Sequence, residues 1–314
     1  MLSALHYPSR MASMPHKNGV STAQLTLALL LIVSAALAWK SLYATFSLAL
    51  HNDQYTHILL ILPVSIGLIY MEWPYLKPVR TPAYGIGSAL ILASVIVAAL
   101  TVARLGVVEP DVQLSCRMLA LVLFWIGACT LCLGSQVAKA LIFPLCFLFW
   151  LVPWPQSALA TVINLLQHGS ALSAHWLFNA AGVPVSQDGF VLTIPGLSVE
   201  VAQECSSIRS SSMLLVTTMV LAQVLLRSTW RKTLAIFVAV PLSVVKNGLR
   251  IFTIAMLGTR VDPAYLTGRL HHQGGIVFLA IALVIEFALI WILRRAEEKE
   301  TNLPLTTTNS GHRA

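Results

Sequence analysis

The sequence predicts an all-α polytopic membrane protein of about eight transmembrane helices, with a small extracytoplasmic β-hairpin before the sixth. Three observations support this fold class. Of the 314 residues, 57% are hydrophobic and only 10% are charged, whereas soluble domains are about one quarter charged. Apolar runs close to the length of about 20 residues that crosses a bilayer recur along the chain. One segment of alternating β-branched residues with two turn signals interrupts them.

The apolar runs define the predicted domain organisation. A polar stretch, residues 1–20, precedes a first run that is too long for the apolar part of a signal peptide, so we expect a retained first span. The transmembrane domain is expected over residues 21–295, and the short polar segment 296–314 is expected to be a disordered tail. The eight predicted spans cover residues 21–43, 57–71, 83–103, 117–134, 138–152, 206–226, 233–249 and 275–293.

The basic residues predict the orientation of these spans. An even number of spans places both termini on one side of the membrane. The clusters "RSTWRK" and "RRAEEKE" flank spans on the side of the N-terminus, and such basic flanks mark the cytoplasmic side. The net charge of +8 does not predict nucleic-acid binding, because the basic residues are spread between the apolar runs rather than gathered in one patch. The lipid bilayer is the expected environment.

An insert of about residues 153–204 is then expected outside the cytoplasm. Its first part, "ALATVINLLQHGSALSAHWLFNAAG", repeats apolar residues at helical spacing and predicts either an interfacial helix or a shallower membrane segment. Its second part, "VPVSQDGFVLTIPGLSVEV", predicts a β-hairpin around Asp188-Gly189, with a second turn signal at Pro195-Gly196. The hairpin leads the chain to Cys205.

Polar residues from three different spans are expected at one depth of the membrane. Cys205 lies at the start of the sixth span, Arg250 at the end of the seventh, and the pair His271-His272 before the eighth. By the predicted topology all of them lie at the extracytoplasmic face. Arg209 follows Cys205 by one helical turn on the same face, so it is expected to support this site or to pair with a nearby glutamate, Glu200 or Glu204.

A cysteine, an arginine and a histidine together favour acyl transfer through a thioester. A neighbouring cation stabilises the thiolate that attacks a carbonyl. A fixed guanidinium can stabilise the oxyanion of the tetrahedral intermediate, and an imidazole can carry the proton to the leaving amine. No cofactor or metal is expected for this chemistry.

The sequence leaves the roles of several other polar residues open. His51 and His57 are predicted at the same face and either shape the site or are ordinary interfacial residues. Glu286 lies deep in the last span, where a carboxyl group needs a partner that the sequence does not identify. Cys129 and Cys132 form a C-x-x-C inside an apolar run, where small helix-packing residues are expected rather than a redox pair.

The chain resembles the exosortase/archaeosortase family of polytopic membrane cysteine transpeptidases. The resemblance rests on "VAQECSSIRSS" around Cys205, "NGLRI" around Arg250 and "HHQGG" at His271. The segments "YTHILLILP", "PWP" and "TWRK" and the hairpin support it, in family order, over roughly residues 50 to 295. The family often has glycine where this chain has Ser207.

The resemblance implies an activity and the role of each site residue. Cys205 would be the acyl-thioester nucleophile, Arg250 the family's arginine, and His271 the third residue, chosen over His272 by its spacing to Gly274-Gly275. Such enzymes are understood to act in the bacterial inner membrane on exported proteins that end in a short motif, a transmembrane helix and a basic tail. They are often associated with exopolysaccharide production. The exact substrate motif, the acyl acceptor and the oligomeric state are left open.

Two alternatives without protease activity stay open. A transporter or flippase for lipid-linked polysaccharide would bind an anionic substrate at the polar cluster, but it predicts polar residues along a membrane path, and the spans are nearly free of them apart from Glu286. A non-catalytic scaffold of an export system would tolerate replacement of Cys205 by serine or alanine.

Overall fold

The computed structural model describes residues 22–76, 84–104, 106–201, 208–267 and 269–302. These residues form two compact units, one within residues 1–52 and 58–155 and the other within residues 53–57 and 156–314. The helices of the first unit are α1 Thr22–Leu37, α2 Trp39–His51, α3 Ile58–Glu72, α4 Tyr84–Ala103, α5 Pro110–Leu133, α6 Ser135–Ala140 and α7 Ile142–Phe147, with short 3₁₀ helices at Trp73–Tyr75 and Leu148–Leu151. The second unit holds a 3₁₀ turn at Asp53–Tyr55, α8 Gln156–Ala180, the strands β1 Ser186–Asp188, β2 Val191–Ile194 and β3 Leu197–Glu200, and the helices α9 Ile208–Leu225, α10 Thr229–Arg260, α11 Ala264–Thr267 and α12 Arg269–Asn302.

The described helices confirm a polytopic all-α membrane protein. Six helical segments are long and apolar enough to cross a membrane by themselves. Two further helix pairs, each bent at a short break, reach that length only together, so the count of candidate spans in the described chain rises to eight if each pair is one span. The prediction of about eight spans therefore agrees with the structure. The two bent pairs differ from the prediction, which expected uninterrupted helices.

Helices α4 and α5 pack closely against each other in the first unit. A Cβ atom added to Gly87 of α4 would lie 2.9 Å from the backbone nitrogen of Leu131, and one added to Gly127 of α5 would lie 3.0 Å from the carbonyl oxygen of Gly87. The hydroxyl of Ser94 also donates a hydrogen bond to the carbonyl of Ala120 at 2.7 Å. Small residues and an interhelical hydrogen bond let two apolar helices approach closely within a bilayer.

Two predicted spans of the first unit are interrupted. The first predicted span is divided between α1 and α2, whose axes are bent by 72° at the break. The fifth predicted span, residues 138–152, is divided between α6, α7 and the 3₁₀ helix Leu148–Leu151. Pro144 explains the break before α7, because a proline ring inside a helix clashes with the carbonyl group four residues earlier, here that of Ala140.

The predicted hairpin has a third strand in the structure. Strand β2 pairs antiparallel with β1 and with β3, in the order β1-β2-β3. Gly189 with φ 57° and Gly196 with φ 84° lie in the two turns, and this left-handed conformation favours glycine. The second turn signal, Pro195-Gly196, therefore connects two paired strands. One face of the sheet contributes Leu192 and Ile194 to a core shared with α8 and α10.

The helices α9, α10 and α12 pack together in the second unit. Ala222 and Leu226 at the end of α9, Ala235 of α10 and Ile290 of α12 form one buried cluster. Helix α10 is longer than its predicted span, 233–249, because buried residues such as Ile251, Ile254 and Ala255 continue the apolar face with helical spacing. Arg250 thus lies inside the helix rather than at its end.

The N-terminal end of α10 is joined to the last turns of α12 by charged groups. Arg231 is only 3% exposed, and its guanidinium contacts Glu297 at 3.6 Å and Glu300 at 2.6 Å. The carboxylate of Glu297 also accepts hydrogen bonds from the backbone N–H groups of Arg227 at 3.0 Å and Ser228 at 2.8 Å. Helix α12 continues to Asn302, past the predicted end of the transmembrane domain at residue 295, so residues 296–302 are helical.

Candidate active site

Arg250 lies where α10 passes α12. Its side chain is half-buried, and a Cβ atom added to Gly275 of α12 would lie 3.9 Å from its Nη1 atom. Gly275 follows His271 by four positions in the same helix, which is about one turn. The guanidinium of Arg250 is therefore next to the helical turn that begins with the two histidine positions.

Arg250 also lines a cavity of about 240 Å³. The cavity is lined by strand β3, from Leu197 to Glu200, by α10 and by Leu266 of α11. The α10 part of this lining includes the apolar side chains of Ile251 and Ile254. The cavity is thus lined by a strand of the sheet, by apolar residues of α10 and by two charged residues, Arg250 and Glu200.

A group of buried polar side chains lies beside Arg250 on α10. Lys246 is 5% exposed and Asn247 is 1% exposed, and both share a helix face with Arg250 by their spacing. The ammonium group of Lys246 donates a hydrogen bond to the hydroxyl of Ser210 on α9. The amide of Asn247 donates to the hydroxyl of Ser170 on α8 at 2.9 Å. Both bonds connect α10 to its neighbouring helices close to the cavity.

The chain before Cys205 is held in place at Val201. The backbone N–H of Val201 donates to the carbonyl of Phe190 at 2.9 Å. Its carbonyl accepts a hydrogen bond from the buried amide of Gln167 at 2.8 Å. Helix α8 thereby fixes the end of the sheet segment from which the chain continues to Cys205.

A comparison with known families identifies the chain. The sequence model of a family described as transmembrane exosortase matches residues 39–288. This chain belongs to the transmembrane exosortase family. The match confirms the resemblance found in the motifs. It also supports a multi-pass membrane protein whose function is of the membrane transpeptidase kind, with proteins as substrates. No curated protein and no solved structure matches the chain.

The structure describes some of the predicted site residues of this exosortase and not others. Arg250 lies at the cavity as given above. Cys205 falls between Val201 and Ile208, outside the described residues. His271 and His272 belong to α12, but the side chains of residues 269–274 are also outside the described part of the chain. The roles of Cys205, Arg250 and His271 therefore stay predictions.

Arg209 has a partner that the sequence did not identify. Its Nη1 atom lies 2.7 Å from Oδ1 of Asp53, and both side chains are largely exposed. The sequence had offered the site, Glu200 or Glu204 as its partner. Asp53 belongs to the 3₁₀ turn that contacts α9, so in this exosortase Arg209 connects that turn to the first turn of the helix that follows Cys205.

Sequence reasoning missed the buried lysine of the site. Lys246 stands between apolar residues in "SVVKNGLRI", and only the packing of α9 against α10 shows that its ammonium group is enclosed. Its spacing of four residues from Arg250 was the available signal, because positions four apart lie on one helix face.

The remaining polar candidates lie in varied surroundings. His51 is exposed, and its Nδ1 atom lies 2.8 Å from the carbonyl of Ser47 in the same helix, whereas His57 is 7% exposed. Glu286 is fully buried, and neither of its carboxylate oxygens has a hydrogen-bond partner among the described residues. Cys129 and Cys132 are free thiols within α5. No group of three or more potential metal ligands occurs among the residues that the structure describes.

Proposed function

We propose that this exosortase family member is a membrane-embedded cysteine transpeptidase. It cleaves the C-terminal sorting signal of exported proteins, made of a short motif, a transmembrane helix and a basic tail, through an acyl-thioester on Cys205. The link to exopolysaccharide production that the resemblance implies belongs to the same proposal. The position of Arg250 supports it most directly, because this half-buried guanidinium lies at a cavity and 3.9 Å from the Cβ position of Gly275, one turn beyond His271.

Each of the three residues has a distinct step in the proposed reaction. The thiolate of Cys205 attacks the carbonyl carbon of the scissile peptide, forming a C–S bond and a tetrahedral oxyanion that the Arg250 guanidinium stabilises. The imidazolium of His271 then donates a proton to the leaving nitrogen, and the C–N bond breaks. A nucleophile, either water or an amine of an acceptor, attacks the thioester after His271 takes its proton, and the C–S bond breaks to restore the thiolate.

The proposed orientation places this chemistry outside the cytoplasm. We propose the bacterial inner membrane as the location, with the tails 1–20 and 296–314 in the cytoplasm and the transmembrane domain over 21–295. The basic cluster at Arg227, Arg231 and Lys232 supports this orientation, because basic residues beside spans favour the cytoplasmic side. Arg250 lies toward the opposite end of the same helix, α10.

Substitution of the proposed nucleophile tests the function. Cys205→Ser is expected to abolish processing while the protein still accumulates in the membrane, because a serine hydroxyl ionises far less readily than a thiol. The measurement is cleavage of a co-expressed exported protein that carries the C-terminal signal, at matched membrane levels. Cys129→Ser and Cys132→Ser serve as matched controls and are expected to retain full processing. Full processing by Cys205→Ser, as a scaffold or transporter would allow, would falsify the thioester mechanism.

The same assay distinguishes the two histidines. His271→Ala is expected to abolish processing and His272→Ala to retain much of it, since adjacent helix positions differ by about 100 degrees and cannot both face one thiol. If His272→Ala alone is inactive, the third residue is His272 and the mechanism stands. If both variants are active, the proposed Cys–Arg–His mechanism is wrong.

A further inference from the structure

Strand β3 has one edge that no described strand covers. The sheet order is β1-β2-β3, so within the described residues β3 pairs with β2 alone. An uncovered strand edge presents a row of backbone N–H and C=O groups that can pair with another extended chain. This edge is of interest because the whole of β3 lines the cavity that contains Arg250.

The register shows which backbone groups point away from β2. The N–H of Val201 donates to the carbonyl of Phe190, so this is a hydrogen-bonded pair of the antiparallel ladder. Hydrogen-bonded and non-hydrogen-bonded pairs alternate along such a ladder. The pairs Thr193–Ser198 and Val191–Glu200 are therefore non-hydrogen-bonded, and the backbone groups of Ser198 and Glu200 are directed to the uncovered edge.

The side chains agree with this assignment. The hydroxyls of Thr193 and Ser198 lie 3.3 Å apart across the two strands, as expected for a non-hydrogen-bonded pair, whose side chains are close. Leu197 and Val199 pack against the core of the second unit, whereas Ser198 and Glu200 are exposed. Strand β3 is thus packed on its apolar face, and the two residues whose backbone groups point to the uncovered edge are exposed.

The geometry points to an extended peptide segment as the occupant of this edge. We propose that the segment of the substrate that precedes its own transmembrane helix binds as a fourth strand, pairing with the backbone of Ser198 and Glu200. A single strand passing through the cavity lies against the Arg250 guanidinium and the apolar side chains of α10. This inference rests on the proposed function, because it names how the same site holds its protein substrate.

A second copy of the chain fits this edge less well than a single strand. The cavity beside β3 is bounded by α10 and by Leu266 of α11. A second copy would bring its own α10 and α11 together with its β3, whereas a single strand brings no helix into the space beside Arg250. Main-chain pairing also suits substrates of varied sequence, because backbone hydrogen bonds supply affinity independently of the side chains.

Disulfide cross-linking tests the strand pairing without requiring activity. The protein carries Cys205→Ala, serine at its other four cysteines, and one introduced cysteine, Ser198→Cys or Glu200→Cys. The co-expressed exported test protein carries a single cysteine placed at successive positions before its transmembrane helix. Opposed residues of paired strands have Cα atoms about 4.5–5.5 Å apart, within the range of about 4.4–6.8 Å that a disulfide spans.

The expected result is a shift in register. Moving the introduced cysteine from position 198 to position 200 should move the best cross-linked substrate position by two residues, because alternate residues share one face of a strand. Thr193→Cys is the matched control. It faces the same side as Ser198 but lies one strand farther away, so no cross-link is expected.

Other results would overturn the inference. Cross-links at consecutive substrate positions, or the same substrate position for both variants, would exclude strand pairing. A disulfide between two copies of the Ser198→Cys variant without substrate would assign the edge to self-association. If Cys205→Ser abolishes processing but the cross-links show no register shift, only the strand pairing is wrong. If the cross-links show the register shift but Cys205→Ser still processes substrate, only the proposed chemistry is wrong.

A backbone substitution provides a second test. Proline at position 198 removes the N–H that points to the uncovered edge and leaves the ladder with β2 intact, as tolerated on edge strands. Ser198→Pro is therefore expected to process substrate at least tenfold more slowly than Ser198→Ala, which removes the same hydroxyl but keeps the N–H. A hydrogen bond of about 1.4 kcal/mol corresponds to tenfold. Equal processing by both variants would overturn the proposal. If Ser198→Pro does not accumulate, the cross-linking register decides.

Discussion

Helix α10 carries two arginines that lie beside α12, one at its N-terminal end and one ten residues before its C-terminal end, and their surroundings differ. At the N-terminal end, Arg231 is enclosed and contacts the carboxylates of Glu297 and Glu300. Farther along the same helix, Arg250 is half-buried, reaches the backbone of α12 at Gly275 and lines a cavity. The neighbouring charged residue on its own helix face is the cation Lys246.

We propose that this difference distinguishes an arginine that holds the fold together, Arg231, from one that serves the chemistry, Arg250. An enclosed guanidinium paired with carboxylates has its charge matched, and removing one member of such a pair leaves an uncompensated buried charge. A guanidinium at a cavity, here one that Glu200 also lines, can in addition contact an anionic group that forms there. In the proposed mechanism that group is the oxyanion of the tetrahedral intermediate.

The largest expected effect is on the chemistry at Arg250. Arg250→Lys keeps the charge but loses the planar group with several donors. If the guanidinium stabilises the oxyanion, processing should fall by about 10²–10³-fold, the usual loss of one such donor, with unchanged membrane levels. The measurement is the rate of cleavage of the co-expressed signal-bearing protein. An arginine that only binds lipid headgroups would tolerate lysine, so normal processing by Arg250→Lys would remove it from the mechanism.

Arg231 supplies the opposite control on the same helix. Arg231→Ala breaks a buried ion pair, which costs on the order of 3–5 kcal/mol, so accumulation and thermal stability should fall. The protein that does accumulate should process substrate at the parental rate per molecule. A loss of processing per molecule at Arg231 would show that the two ends of α10 are not functionally separate.

The sequence predicted the helices better than their interruptions. Apolar runs located α4 and α9 to within a few residues, because the membrane requires about 20 consecutive apolar residues. The break in the fifth predicted span at Pro144 and the division between α1 and α2 were not predicted, since each run is apolar throughout. The second turn at Pro195-Gly196 was predicted, but the third strand that it creates was not.

The sequence predicted residues of the candidate site from their chemistry, but it did not predict the contacts that depend on how the helices pack. Arg250 was singled out because the predicted topology places it at the same face of the membrane as Cys205 and His271. The enclosure of Lys246 and the pairing of Arg209 with Asp53 depend on which helices are neighbours, and a pattern in one helix does not contain that information. The same limit applied to Arg231, whose partners lie near the end of α12.

A smaller effect is expected where α10 is held by close packing rather than by charge. A Cβ atom added to Gly248 would meet the side chain of Ser173 and would lie 2.9 Å from the backbone nitrogen of Ala174, both on α8. Gly248→Ala should therefore push the two helices apart and cost about 1–3 kcal/mol, as overpacking does. The measurement is the thermal stability of the detergent-solubilised protein, together with processing, because Asn247 bonds to Ser170 across the same contact.

Gly67 provides the matched control for that substitution. It lies inside α3, and nothing is within 4 Å of an added Cβ atom. Gly67→Ala should leave stability unchanged or raise it by up to about 0.5–1 kcal/mol, since alanine loses less backbone entropy than glycine in a helix. Equal thermal stability of Gly248→Ala and the parent would show that the contact between α8 and α10 is looser than the structure indicates.

The smallest expected effect concerns Lys246 and its bond to Ser210. Ser210 lies in the first turns of α9, which follow Cys205, and Lys246 lies one turn before Arg250 on α10. The hydrogen bond therefore connects the two segments that the mechanism needs side by side, and we interpret Lys246 as a positioning residue. Lys246→Met keeps most of the side-chain volume and removes the bond. Processing should fall by about tenfold, which corresponds to about 1.4 kcal/mol and lies at the lower end of the contribution of about 1.5–3 kcal/mol that a hydrogen bond to a charged group makes.

A double-mutant cycle separates positioning from a general loss of stability. Ser210→Ala alone should reduce processing, because it removes the described partner of the ammonium group. If the two residues act through one bond, adding Ser210→Ala to Lys246→Met should cause little further loss, a coupling of the kind that residues in contact show. The conservative variant Ser210→Thr keeps the hydroxyl and should restore most of the activity. Additive losses, with no recovery by threonine, would instead mean that each side chain supports the fold by itself and that Lys246 has no role in holding Arg250 against the chain that carries Cys205.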